Sequence, residues 1–130
     1  TALADNLIAY CLYEGVAEFI SCYVTGMPSN TPAIAFGKAN EDLVRNAFIR
    51  DMFTGDPYNW LWGENQNELK VRDLGYYIGY EICERYVAKA TDKKAAIKDL
   101  FAIDFNSNAS MDSLIDAAGY FAQPMITYRQ

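Results

Sequence analysis

Glu14 and Glu18 stand apart from every other charge in the first third of the chain. Between Asp5 and Lys38 no other charged residue occurs. The two lie within Leu12-Tyr13-Glu14-Gly15-Val16-Ala17-Glu18-Phe19-Ile20, whose apolar spacing predicts a helix. Residues four apart on a helix stand on one face, about 40° from each other. Like charges placed so cost an isolated helix about 0.2–0.5 kcal/mol. If the face is buried, each ionised carboxylate costs far more unless something positive meets it. Three readings compete. The face is solvated; or an arginine or lysine from another helix, such as Arg45, Arg72 or Arg85, pairs with each glutamate; or the two carboxylates belong to a metal or acid–base site. A solvated face ordinarily carries several charges of both signs, and this segment has no others.

The rest of the composition narrows the chemistry. The chain has 130 residues and no histidine, which removes the usual general base and the commonest zinc ligand. Its net charge is −6 and no basic stripe occurs, so a nucleic-acid or anionic-membrane surface is not expected. Three cysteines, Cys11, Cys22 and Cys83, have no framework spacing. Cys11 and Cys22 would stand about 16 Å apart along one helix, too far to bond each other, so they read as small core residues. Asn108-Ala109-Ser110 matches the glycosylation sequon, a pattern too short to carry weight without a secretory context. With 52% hydrophobic residues the chain is expected to fold as one domain spanning residues 1–130. It opens without an initiator methionine and already in helical pattern, which suggests a piece of something longer. Asn6 to Met27 is apolar enough to raise the question of a membrane span. Two central carboxylates, at about 2.5–3.5 kcal/mol each on an insertion scale, argue against one.

Five helices are expected to position these residues, with no strand, so the fold class is all-α. The first runs from about Ala4 to Thr25 and stops at Gly26, with Pro28 beyond. Thr31 and Pro32 cap and open a turn. A second helix covers Phe36 to Phe53, with Leu43, Ala47, Phe48 or Ile49, and Met52 toward the core. An aromatic, turn-rich stretch from Thr54 to Glu68 follows, pinned by Trp60 and Trp62; Tyr58, Trp60 and Trp62 either cover the core or line a peptide cleft. The third helix begins at Arg72 or Asp73, with Asp73 a candidate cap, and ends near Ala90. On it Gly75, Gly79 and Cys83 form a small-residue face suited to close helix packing. A fourth helix spans Asp92 to Ile103. A fifth runs from Ser110 to Ala118 and ends at Gly119.

The five residues Glu14-Gly15-Val16-Ala17-Glu18 resemble the downstream glutamate motif of gluzincin zinc metallopeptidases. The wider set, LYEGVAEFISCYVTG, then FGKANE, then DLGYYIGYEICERY, then the closing AAGY, is similar to a group of bacterial proteases predicted to depend on zinc and otherwise of unassigned function. The set covers most of the chain in the family's order. In gluzincins an H-E-x-x-H helix supplies two histidine ligands and the general base. A later helix supplies a third ligand, a glutamate, followed four residues on by an acid that orients a ligand histidine. The resemblance implies that Glu14 is a zinc ligand and that Glu18 accepts the N–H of a ligand histidine. Gluzincins commonly use a further tyrosine or histidine to stabilise the oxyanion, which would make Tyr77 or Tyr80 the donor. Aromatics at helical spacing are ordinarily core, and Tyr76, Tyr77 and Tyr80 have that reading as well.

The departure from the family is severe, because H-E-x-x-H is absent and no histidine can replace it. Two functions follow from different classes. In one, the chain is the C-terminal helical part of a zinc-dependent metallopeptidase acting on peptide or protein. Its partner would be an upstream segment carrying H-E-x-x-H; zinc would belong to the full-length protein, and the isolated chain would be inactive and hold no tight metal. In the other, it is a helical binding or scaffold module, a peptidase that has lost its catalytic half. The missing initiator methionine supports the first. A bacterial source is implied, in the cytoplasm or exported.

Overall fold

The computed structural model describes residues 6–63 and 65–130, and every regular element among them is helical. The expected all-α class is therefore observed. In chain order the helices are α1 (Leu7–Thr25), α2 (Pro32–Ala39), α3 (Glu41–Asp51), α4 (Leu74–Lys89), α5 (Lys93–Phe101), α6 (Asn108–Ala118) and the short α7 (Met125–Tyr128), with a 3₁₀ turn at Pro57–Asn59 between α3 and α4. They bury one apolar core that draws on α1, α2, α3, α4, α5 and α6 and on the closing segment.

α1 starts where Asn6, in extended conformation, accepts a hydrogen bond from the Ala9 amide at 3.0 Å, satisfying one of the first-turn donors. It ends at Gly26, whose φ of 71° suits glycine and whose amide bonds the Cys22 carbonyl. The expected start at Ala4 lies outside the described residues. α1 is the one described helix long and apolar enough to cross a membrane by length and composition. Here its inner face lies on α4, with Leu7, Ile8, Cys11 and Leu12 at most 1% exposed.

The α1–α4 contact sets the geometry of the whole bundle. A Cβ on Gly15 would sit 2.2 Å from the Gly79 carbonyl carbon, and one on Gly79 would sit 2.0 Å from the Cys11 carbonyl oxygen. Gly75 faces the Cys11 thiol and the Trp60 carbonyl. Contacts advance together along both chains, from Cys11 with Gly75 to Gly15 with Gly79 to Phe19 with Tyr80, so the two helices run the same way. The small face read on Gly75 and Gly79 is thus a backbone-to-backbone seam, completed by Gly15 from inside the Glu14–Glu18 motif. A third close approach brings α2 onto α4, where the Tyr77 ring lies flat against Gly37.

The single helix expected from Phe36 to Phe53 is two. Asn40 breaks it with φ −133° and ψ 43°; its side chain donates to the Phe36 carbonyl at 3.0 Å and its amide to Gly37. An asparagine that satisfies nearby carbonyls offers the backbone an exit from the helix. The new register turns Val44, Ala47, Phe48 and Met52 inward and leaves Leu43 52% exposed, correcting the expected inward Leu43. The third and fourth expected helices are found within two residues at each end, and the fifth starts two residues earlier, capped by Ser107, before stopping at Gly119. α7 was not expected; four residues carry no periodic signal.

The aromatic connector is pinned from below. Trp60 is fully buried, edges onto Phe48 at 5.1 Å and donates its indole N–H to Asp51 at 2.9 Å. Buried Asn67 donates to the Asn59 and Val71 carbonyls and accepts from Leu69, so one side chain holds three points of the loop.

Two outcomes test this packing. Gly79→Ala forces a methyl group into the α1 backbone and should cost about 3 kcal/mol or more, at the upper end of overpacking penalties. Gly26→Ala, in open space but at positive φ, should cost about 1–2 kcal/mol; urea midpoints for the two variants should fall in that order. The second outcome is alkaline. Burial pushes the Cys83 thiol up to about 12, the Cys11 thiol well above its ordinary value, and the Tyr77 and Tyr120 phenols upward. The folded state holds these protons more tightly than the unfolded chain. Their stabilisation is complete below the unfolded values of about 8.5 for thiols and about 10 for phenols, and is lost as pH climbs toward the folded ones. Denaturation midpoints should hold steady from pH 7 to 8 and fall steeply between pH 9 and 11, by up to about 1.4 kcal/mol per pH unit for each group in play.

Candidate functional site around Glu14 and Glu18

Glu14 and Glu18 emerge half-buried on α1, at the edge of its seam with α4. No lysine or arginine among the described residues forms an ion pair with either. The arginines that the sequence offered are engaged elsewhere or lie apart. Arg45 pairs with Glu41 at 2.7 Å and Asp42 at 2.9 Å; Arg85 pairs with Glu81 at 3.0 Å and with Glu41. Arg72 is exposed and its guanidinium rests over Gly63.

Neutral donors meet the two carboxylates instead. The Trp62 indole N–H donates to Glu14 Oε2 at 3.2 Å. The Thr31 hydroxyl donates to Glu18 Oε1 at 3.2 Å, and the Cys22 thiol approaches Oε2 at 3.7 Å. Each carboxylate oxygen has two lone pairs, so this arrangement leaves acceptor capacity on both residues. In the Cys22 thiol, burial and then the Glu18 charge raise the pKa, so it stays a thiol at neutral pH.

Residues around the pair give up ordinary structural roles. Thr31 stands at the N-cap of α2 but does not cap it; its hydroxyl points to Glu18. Asp73 stands at the N-cap of α4 at φ 62° and does not cap it either; its carboxylate takes the Gly63 amide at 2.6 Å. Trp62 has φ 61°, a left-handed conformation uncommon for a bulky residue. It is held there by edge contacts with Tyr58 at 4.8 Å and Tyr10 at 5.8 Å, with its indole over Glu14. Thr31, Pro32, Ala33, Arg72 and Asp73 enclose a recess of about 270 Å³ at the starts of α2 and α4.

The three tyrosines of α4 have different fates. Tyr77 is fully buried, takes a hydrogen bond from the Tyr120 hydroxyl at 3.4 Å and lies against Gly37. It belongs to the core and is not brought to the glutamate face. Tyr80 is 8% exposed, with its ring against Phe19 at 5.5 Å and Lys38 at 5.6 Å. Burial, and then the Glu84 charge, raise its phenol pKa; Glu18 contributes to the same effect. Tyr76, half-buried, is raised by burial and then by Glu14, with Asp73, Cys11 and Glu18 adding to it. Of the three, Tyr76 is the phenol most under the influence of Glu14. It was legible only as one of three tyrosines at helical spacing; the contact of α4 with α1 through Gly75 and Gly79 decides which one flanks the pair.

A second polar cluster went unread in the sequence. Glu81, 8% exposed, joins Lys38 of α2 at 3.1 Å to Arg85 of α4, and Glu41 links Arg85 to Arg45 of α3. The Tyr120 ring packs against both guanidinium groups, 4.5 Å from Arg45 and 5.1 Å from Arg85. Lys38 also pairs with Glu84; burial lowers its pKa, and the two carboxylates outweigh that and raise it. These charges are matched among themselves, so the cluster reads as structural.

Among the described residues no three histidine, cysteine, aspartate or glutamate side chains converge as a metal-binding set. No family model, curated protein or solved structure matches this chain.

Proposed function

We propose that this chain is the C-terminal helical portion of a gluzincin-type zinc metallopeptidase, supplying the glutamate ligand Glu14 and the orienting acid Glu18. One observation carries the reading: two carboxylates a turn apart on a half-buried face, met among the described residues by neutral donors and by no ion-pairing cation. A partly buried face that needed only charge balance would be expected to recruit a lysine or arginine. The donor chemistry fits part of a zinc centre. A carboxylate is a good zinc ligand, and a second acid is the usual partner of a ligand imidazole. The fit is partial, since two histidines must come from outside this chain.

In the assembled protein, zinc would supply Lewis-acid activation of a water. The residues here would do the rest of the positioning. Trp62 and Thr31 hold the two carboxylates in fixed rotamers. Glu18 accepts an imidazole N–H and so fixes the tautomer of the ligand histidine. Tyr76 and Tyr80, both kept protonated by burial and neighbouring carboxylates, are the phenols able to donate to a developing oxyanion. Tyr77 has no path to that role from the core.

The experiment begins with the gene. An H-E-x-x-H upstream of Thr1 is expected; a start codon adjoining Thr1 would sink the proposal. In the full-length protein, Glu14→Ala should abolish peptidase activity and lower zinc content while far-UV circular dichroism is unchanged. Calorimetry on the 130-residue chain alone should show only weak zinc binding, because one carboxylate without imidazoles is a poor site; tight stoichiometric binding would show that the ligand set is wrong.

A further inference from the structure

Beyond Glu18, α1 leads to an open surface recess of about 440 Å³. Phe19, Cys22, Tyr23, Met27, Pro28 and Tyr80 line it, with no charged group. Phe19 forms its wall, in contact with Tyr80 at 5.5 Å and Tyr23 at 6.0 Å. Tyr23 and Met27 stand at the rim, 48% and 66% exposed. Gly26 turns the chain at its edge, where a Cβ would meet nothing within 4 Å. The pocket is continuous with the glutamate face, because Cys22, which lines it, also reaches Glu18.

We propose that this pocket is a side-chain subsite, taking an aromatic or long aliphatic residue of a peptide laid along the Glu14–Glu18 face. The inference rests on the proposed function and names its substrate class. An anionic side chain entering here would meet no cation in the lining and would face Glu18, whereas an apolar one gains contact with three rings and a thioether. Cys22 lies two turns beyond Glu14, about 12 Å along the axis, and an extended peptide covers that distance in about three to four residues. The preferred side chain is therefore a few residues away from the bond that is cut, not adjacent to it.

Cys22 provides the readout. It is partly exposed, whereas Cys11 and Cys83 are buried, so a small alkylating reagent at fixed pH modifies Cys22 selectively in the native chain. Peptide mapping of iodoacetamide-treated protein gives the rate. Saturating acetyl-Gly-Gly-Phe-Gly-Gly-amide should slow modification of Cys22 by at least about fivefold through simple occupancy. The same peptide with aspartate in place of phenylalanine should leave the rate unchanged. Met27→Glu, an exposed substitution at the mouth, should abolish the protection by the phenylalanine peptide. Absence of protection, equal protection by both peptides, or protection that appears with protein concentration and no peptide would each overturn the subsite; the last would mean a second copy covers the pocket. No metal or upstream segment enters this measurement. A failed zinc reading shows in the gene and in Glu14→Ala, and a failed subsite shows in the Cys22 rate.

Discussion

The approach of two backbones at Gly15 and Gly79 is the constraint on which the arrangement depends. With glycine on both sides, α1 and α4 meet at main-chain distance, and the Cys11 carbonyl lies where any side chain on residue 79 would stand. That contact fixes the rotation of α1 about its axis. Leu7, Cys11 and Leu12 are turned in, and Glu14 and Glu18 are left at the edge of the seam. It also decides which part of α4 flanks them. Gly37 extends the same device to α2, which settles on the Tyr77 ring and thereby carries Thr31 to Glu18.

Around that edge the chain departs from its own local rules. Two cap positions, Thr31 and Asp73, spend their side chains on something other than a helix start, and Trp62 adopts a left-handed backbone. Positions that violate local preference and are held by their surroundings concentrate at functional sites. The contrast with α5 and α6 supports this, since Asp92 and Ser107 cap those helices in the ordinary way, accepting from Ala95 and Ser110.

Much of the helical skeleton was legible because its stops are chemical. Gly26, Asp92 and Gly119 mark helix ends where the sequence places them, and the small face of Gly75 and Gly79 does pack closely. The break at Asn40 was hidden, because apolar spacing continues through it and a single asparagine is tolerated in many helices. Gly15 was read only as part of a motif; its packing role depends on a partner about sixty residues away, which no local pattern encodes. The same holds for the site. Glu14 and Glu18 were visible as isolated charges, but the donors that meet them, Trp62 and Thr31, arrive from a loop and a failed cap. Arg45 and Arg85, offered by the sequence as partners, pair instead with Glu41 and Glu81, and that outcome is tertiary.

Tyr120, packed against Arg45 and Arg85, carries a consequence for how far the core extends past α6. The ring shields two guanidinium groups, and the residues just after it, Phe121 and Met125, are core. Met125 donates its amide to Asp116, and Arg129 clasps Asp112 with two hydrogen bonds at 2.7 and 2.8 Å. The final segment is thus a latch fastened over α3, α4 and α6. Trimming the chain at Gly119, which looks like a natural boundary after the last long helix, would uncover two arginines and open the core beneath them.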